Sequence, residues 1–325
     1  MDEQQIDLDG QRITYTHSEG AGRPVIFVHG NSSSLRTWSE IMTGSFGQQF
    51  RCLAFDLPGH GSSAPAASSQ DYSLPGYAAT LAAFAEAMNA TDAVIVGWSL
   101  GGHIALDASP AQPAAAGYVI YGTPPVASPA QLGEAFLPNP AMNIGFTASV
   151  GPEEAEAYAA SFTADRSEPL LEEFTADILR TDGAARAGLF ASIGEGRFAD
   201  EVAIVGTLPV PLAILHGEHE ALVDLAYLQQ LTIPALWRGR VELVPRRRPR
   251  HPPRNARGLH RTAHPVHRRP RLAPAQIPAV FPRSGTPLTC EGSLTNGRRA
   301  RPHVAPRRGQ ERRNHESHEI TQARD

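Results

Sequence analysis

The 325-residue chain contains no lysine, so all 29 of its Lys+Arg positions are arginine. Lysine codons are AT-rich, and their absence is what a strongly GC-rich gene produces. Cysteine is almost as scarce, with Cys52 in an apolar, strand-like run and Cys290 in a dissimilar C-terminal stretch. Two thiols so placed exclude a disulfide framework, and neither sits in a context that suggests a nucleophile. No apolar run approaches the ~20 residues a bilayer span needs, and Met1 to Gly10 is polar and acidic, without the apolar core of a secretory leader. A soluble, cytoplasmic protein with no membrane partner is expected.

What is present is ample for one large domain. Hydrophobic residues make up 41% of the chain, enough for a sizeable core, and the net charge is only -4. That small net charge hides a division at Pro245. Residues 1–245 carry 10 Arg against 28 acids, whereas residues 246–325 carry 19 Arg against 5.

Short, near-continuous apolar runs mark buried parallel strands at Val25–Val28, Cys52–Phe55, Ala93–Val96, Tyr118–Tyr121, Leu212–Leu215 and Val241–Val244. Helical spacing separates several of them. Tyr77 to Ala90 places Leu81, Phe84 and Met88 on one face, and Leu222 to Leu231 offers a second helix. Between Thr123 and Asp200 strands give way to helix-like segments, Pro152–Phe162 and Pro169–Leu179 among them. The fold class this predicts is α/β, a mostly parallel sheet with flanking helices and an inserted helical cap. Its parts are a core of residues 1–122 and 201–245, a cap of residues 123–200, and an Arg/Pro-rich tail of residues 246–325.

The chemistry-bearing motif is Gly97-Trp98-Ser99-Leu100-Gly101, between the apolar run ending at Val96 and a helix-like segment. A G-x-S-x-G sequence in strand–turn–helix context lifts the serine hydroxyl above the sheet edge, with the glycines permitting the tight turn. Ser99 is the nucleophile candidate; an ordinary Gly/Ser turn is the alternative. Other motifs fall at the C-terminal ends of the strands, where open α/β sheets bind ligands. His29-Gly30-Asn31-Ser32-Ser33-Ser34 follows the first strand and can aim the Asn31 backbone N–H at an oxyanion, beside the N–H of Leu100. Asp56-Leu57-Pro58-Gly59-His60-Gly61-Ser62 reads as a rigid loop in which His60 is structural. His216-Gly217-Glu218-His219-Glu220 follows a late strand, where a Ser–acid–His order places the acid. Glu220 fits that role best, with Glu218 and Asp224 as competitors. His216 and His219 lack the further ligands a zinc site requires, so no metal and no cofactor is expected.

Residues 12–245 resemble an α/β-hydrolase, and more narrowly the metal-independent N-acyl-homoserine lactonases of that superfamily. The stretches that carry the narrower likeness are the loop at residues 29–34, Tyr72-Ser73 with Gly76-Tyr77-Ala78, residues 97–104, Gly122-Thr123-Pro124-Pro125-Val126-Ala127, and Arg180-Thr181-Asp182-Gly183-Ala184 with Arg186. The resemblance implies a serine hydrolase that opens the lactone ring, a quorum-quenching activity. It also implies a glutamate as the acid, and Asn31 and the cap residue Tyr158 against the ring, with Trp98 a further substrate-binding candidate. Read by itself, Tyr158 is a helix aromatic packing on its neighbours. A carboxylesterase, another lactonase, or an impaired pseudo-hydrolase that only binds ligand are the alternative functions.

The departure from the family lies at the base. Where the family continues with a Gly-His turn and a final amphipathic helix, this chain reads Arg246-Arg247-Arg248-Pro249-Arg250-His251-Pro252-Pro253, a composition that builds neither strand nor helix. His251 is the nearest stand-in. A one-base shift of reading frame near Pro245 accounts for the change: GC-rich codons for Arg247 to Arg271, reread one base forward, permit a Gly-His turn, a Glu-x-Pro motif and an amphipathic helix. A true polybasic tail that contacts nucleic-acid phosphates by charge is the alternative. Its single aromatic, Phe281, and the lack of a nucleic-acid module argue against it. A small lactone or ester is therefore the expected partner, no nucleic acid is expected, and oligomeric state is left open.

Overall fold

The computed structural model describes residues 2–163 and 168–245. Eight strands form one sheet: β1 (Gln4–Leu8), β2 (Gln11–His17), β3 (Gly22–Val28), β4 (Phe50–Phe55), β5 (Val94–Trp98), β6 (Gly117–Tyr121), β7 (Leu212–Gly217) and β8 (Glu242–Val244). They lie in the order β1-β2-β4-β3-β5-β6-β7-β8. The six strands from β4 to β8 run parallel, and β1 and β2 add an antiparallel edge.

The helices are α1 (Ser39–Thr43), α2 (Ser45–Gln49), α3 (Leu74–Ala87), α4 (Leu100–Ala108), α5 (Leu132–Ala135), α6 (Pro152–Phe162), α7 (Glu168–Arg180), α8 (Gly183–Gly194), α9 (Glu201–Thr207) and α10 (Leu225–Gln230). Two layers of core arise from the strand period of two. Ile26 and Val28 of β3 face a cluster with Leu81 and Phe84 of α3 and Ile104 of α4. Val25 and Phe27 face the other way, onto Trp38, Ile41, Met42 and Phe46. Both faces of β3 are thus covered, which is why its sequence is uninterrupted apolar rather than alternating.

The six expected strands all form, shifted by a few residues at their ends. The hairpin β1–β2 is an addition, built from a segment that reads as merely polar because most of its residues stay exposed or half-buried. Helix α3 starts three residues earlier than its periodicity suggests. Ser73 caps it by accepting from the Gly76 N–H, and Asn89 just beyond its end takes the left-handed conformation that Asn tolerates, with φ 49°. Helix α10 begins only after Asp224, whose carboxylate accepts from the N–H groups of Ala226 and Tyr227.

The connection between β6 and β7 carries α5 to α9 and contributes no named strand among the described residues. Helix α6 spans the expected Pro152–Phe162, and α7 exceeds the expected segment by one residue at each end. Among the described residues, no helix is long and apolar enough to cross a membrane.

Candidate functional site

Ser99 stands between the end of β5 and the start of α4, with φ 51° and ψ −120°. That backbone is strained for any residue with a Cβ and persists only where its surroundings impose it. Two contacts from β6 and its exit do so. The Ser99 N–H donates to the Tyr121 carbonyl at 2.9 Å, and the Thr123 hydroxyl donates to the Ser99 carbonyl at 2.8 Å.

The neighbouring glycines serve another purpose than the expected one. The positive φ belongs to Ser99 itself. A Cβ on Gly97 would lie 2.3 Å from the Gly101 carbonyl oxygen, and one on Gly101 would lie 2.2 Å from that of Val28. These glycines allow α4 to press against the ends of β5 and β3.

The loop after β3 is fixed by His29. Its Nε2 accepts from the Leu57 N–H at 3.0 Å, which places the proton on Nδ1, donated to the Gly30 carbonyl at 2.7 Å. Burial, followed by the nearby His60 ring, lowers the His29 pKa to about 3, and burial is also the main cause that lowers His60 to about 4. Both imidazoles are neutral structural groups, as expected for His60. Asp56 braces the same loop by accepting from the N–H groups of Leu35 and Ser62, each at 2.7 Å.

Beyond His29, Asn31 directs its side-chain amide to the Gly145 carbonyl at 2.6 Å. Leu100, the first residue of α4, has an N–H that lacks an intrahelical partner by position. The Ser99 hydroxyl makes no hydrogen bond among the described residues.

Ser99, Leu100, Asn31 and Tyr158 line one cavity of about 380 Å³, walled mainly by apolar side chains including Val126, Phe136 and Phe198. Tyr158 is 4% exposed and meets Phe162 edge-on at 5.1 Å, so it both packs on its helix neighbour and reaches the cavity. Burial pushes its phenol pKa up.

Trp98 does not line this cavity. It stacks on Tyr121 and packs against Phe162 and Phe174, a place set by the inward turn of the last β5 residue. Glu220 also lies off the cavity wall, in the turn after β7, where it accepts from the Leu222 N–H at 2.9 Å. The His216 imidazole sits near Glu220 and Asp224; burial holds its pKa below the ordinary value, against the pull of both carboxylates. Asp224 is committed to capping α10. No group of three or more His, Cys, Asp or Glu that could hold a metal occurs among the described residues. His251 and the Arg/Pro-rich stretch 246–325 lie outside the described residues.

Two cavity residues escape sequence reading. His103 of α4 and Glu201 of α9 both line it, and the His103 Nδ1 lies 2.8 Å and 3.0 Å from the two Glu201 carboxylate oxygens. No local sequence signal marks the pair, whose members are 98 positions apart.

The strained serine turn at the C-terminal end of a parallel strand, facing a pocket, defines a hydrolase of the α/β-hydrolase fold. The chain belongs to that family, described as the alpha/beta hydrolase fold, which matches residues 23–238. The N-acyl homoserine lactonase AidH, solved as a serine-to-glycine variant complexed with N-hexanoyl homoserine lactone, is similar with a TM-score of 0.71. It is 32% identical, over 75% of this chain and 89% of that one. A glutamate-to-glycine variant of AidH complexed with N-hexanoyl homoserine matches with the same TM-score and identity. The esterase RhEst1 from Rhodococcus sp. ECU1013 has a TM-score of 0.62 at 25% identity, over 75% and 90% of the two chains. A non-heme chloroperoxidase of Burkholderia pyrrocinia is 25% identical over 239 residues, 69% of this chain and 84% of its own.

Proposed function

We propose that this chain is a serine hydrolase whose site is built to open the ring of N-acyl-homoserine lactones. The observation that carries the reading is the convergence of Ser99, Asn31 and Tyr158 on one largely apolar cavity. Such a space suits a small polar ring at the serine with an acyl chain along the walls. Residues 1–122 and 201–245 act as the core and 123–200 as a cap over it.

In the reaction, the Ser99 oxygen attacks the ring carbonyl. The N–H groups of Asn31 and Leu100 stabilise the oxyanion. Collapse breaks the ring C–O bond, and a histidine oriented by Glu220 returns the serine proton to the departing alkoxide. The same imidazole then activates water to release the N-acyl-homoserine from Ser99. The two AidH complexes support this assignment, since they hold a lactone and its ring-opened form in variants lacking a serine and a glutamate.

Arg246 to Pro253, standing where the family carries its base, favours a second reading of the encoded chain as a ligand-binding hydrolase fold with little turnover. One comparison tests both. Hydrolysis of N-hexanoyl homoserine lactone and of a simple hexanoate ester is measured for residues 1–325 as encoded and for a version with the reading frame restored after Pro245. Lactone turnover appearing on restoration supports the lactonase; ester turnover alone would replace it with a carboxylesterase.

A further inference from the structure

Within a mainly apolar pocket wall, His103 and Glu201 form an ionisable pair that the proposed mechanism does not use. Glu201 is fully buried and its side chain has two hydrogen-bond donors: the His103 ring and the Val126 N–H at 2.9 Å. The Glu201 N–H donates back to the Val126 carbonyl at 3.1 Å, so the carboxylate is fixed from two sides. A carboxylate so placed holds the imidazole proton on Nδ1.

The other ring nitrogen, Nε2, has no hydrogen-bond partner among the described residues, and the His103 side chain is 13% exposed, along the cavity. Val126, Phe136 and Phe198 line the same space, with the Phe136 ring 6.4 Å away, and the Asp107 carboxylate lies near enough to interact with the imidazole electrostatically. Helices α4 and α9 would pack equally well here through an apolar pair, because a buried ionic pair adds little net stability over hydrophobic residues of similar volume. What the pair supplies is an oriented hydrogen-bonding nitrogen facing the cavity.

Its position sets which ligand atom it meets. His103 follows Ser99 by four residues, roughly 6 Å along α4. In an N-acyl-homoserine lactone the third carbon of the acyl chain lies five bonds from the ring carbonyl, about 6 Å when extended at the reach per bond of an extended chain. Resting on the lactone reading of the pocket, we propose that His103, oriented by Glu201, selects acyl chains that carry a hydroxyl at the third carbon. A hydroxyl both donates and accepts, so it pairs with Nε2 whether or not that nitrogen carries a proton.

The test is equilibrium binding by titration calorimetry to the full 325-residue chain, with two ligand pairs. One pair is N-octanoyl and N-(3-hydroxyoctanoyl) homoserine lactone, and the other is methyl octanoate and methyl 6-hydroxyoctanoate, whose hydroxyl-bearing carbon also lies five bonds from the reacting carbonyl. The hydroxylated member of each pair is expected to bind about tenfold more tightly. In the double variant His103→Leu/Glu201→Gln, which avoids stranding a buried carboxylate, the ratio is expected to fall to about one.

Binding of both lactones without a preference for the hydroxyl overturns the His103 assignment and leaves the lactone reading standing. Binding of the methyl esters alone, with the preference, overturns the lactone reading and keeps the His103 assignment. The wild-type ratio needs no variant, so a double variant that fails to fold still leaves a deciding result. Failure of all four ligands to bind overturns both.

Discussion

Ser34, on the loop after β3, donates its hydroxyl to Asp177 of α7 at 2.6 Å, joining positions 143 residues apart. Asp177 is 1% exposed and also receives Arg36 and Arg180, each at 2.8 Å. Burial raises its pKa, while the Ser34 hydroxyl and the two guanidiniums oppose that rise. Asp177→Ala removes the carboxylate shared by two guanidiniums and a buried hydroxyl, although both arginines keep partial contact with water. The expected cost is about 2–4 kcal/mol, a drop of about 5–10 °C in thermal midpoint. An unchanged melting curve would show that this link holds nothing together.

Three carboxylates follow β7, and the proposed mechanism gives the role of acid to Glu220. With the frame restored, Glu220→Gln is expected to lower lactone turnover by about 10³–10⁴-fold, because an amide does not stabilise the imidazolium. Asp224→Asn keeps a good helix cap and Glu218→Gln alters an exposed side chain, so each is expected to stay within a few-fold of the parent. Steady-state kinetics on the three variants decide it, and equal small losses would leave the acid elsewhere.

The paired rings of His29 and His60, 5.3 Å apart, make folding sensitive to acid. Their folded pKa values, about 3 and about 4, lie below the ordinary 6.5, so between those limits the unfolded chain binds more protons than the native one. Stability from keeping them neutral is therefore complete above pH 6.5 and is lost as pH falls toward 4. Near pH 5 each ring contributes a slope of about 1.4 kcal/mol per pH unit. Asp56, raised to about 6 chiefly by burial, works in the opposite sense between its ordinary value and pH 6. Urea midpoints at pH 7, 6 and 5 should decline, and His60→Gln should flatten the decline.

Gly101→Ala places a methyl where the Val28 carbonyl oxygen stands. Backbone cannot yield as a flexible side chain can, so a loss of about 3 kcal/mol or more, or failure to accumulate as soluble protein, is expected. A far-UV melting curve close to that of the parent would refute the close-approach role of this glycine.

Chelation is expected to leave activity unchanged in the restored protein, since the proposed Ser99–Glu220–histidine chemistry needs no metal. Inhibition by EDTA that zinc reverses would assign the chemistry to an ion.

The parallel strands were legible because burial on both faces writes itself as unbroken apolar runs, such as Val25 to Val28. The hairpin Gln4–His17 was not, since an edge pair exposes most of its residues and looks like loop. That Ser99 and Asn31 stand at strand ends beside one another's loops was legible from local motifs. His103 with Glu201, and Ser34 with Asp177, were not, because these pairs are 98 and 143 positions apart and only the winding of the chain brings them together. Trp98, a substrate-binding candidate beside Ser99, instead packs on Tyr121, Phe162 and Phe174, a placement that only the assembled fold decides.

Among the described residues, the hydrogen bonds that hold the strained Ser99 backbone come from Gly102, His103, Tyr121 and Thr123, all upstream of residue 124. On the proposed reading, a change of frame beyond Pro245 would remove the base and leave this turn in place. Such a loss would be cheap to reverse: restoring one frame would return a base to a proposed nucleophile already held in its turn, whereas rebuilding a lost elbow would require several concerted substitutions.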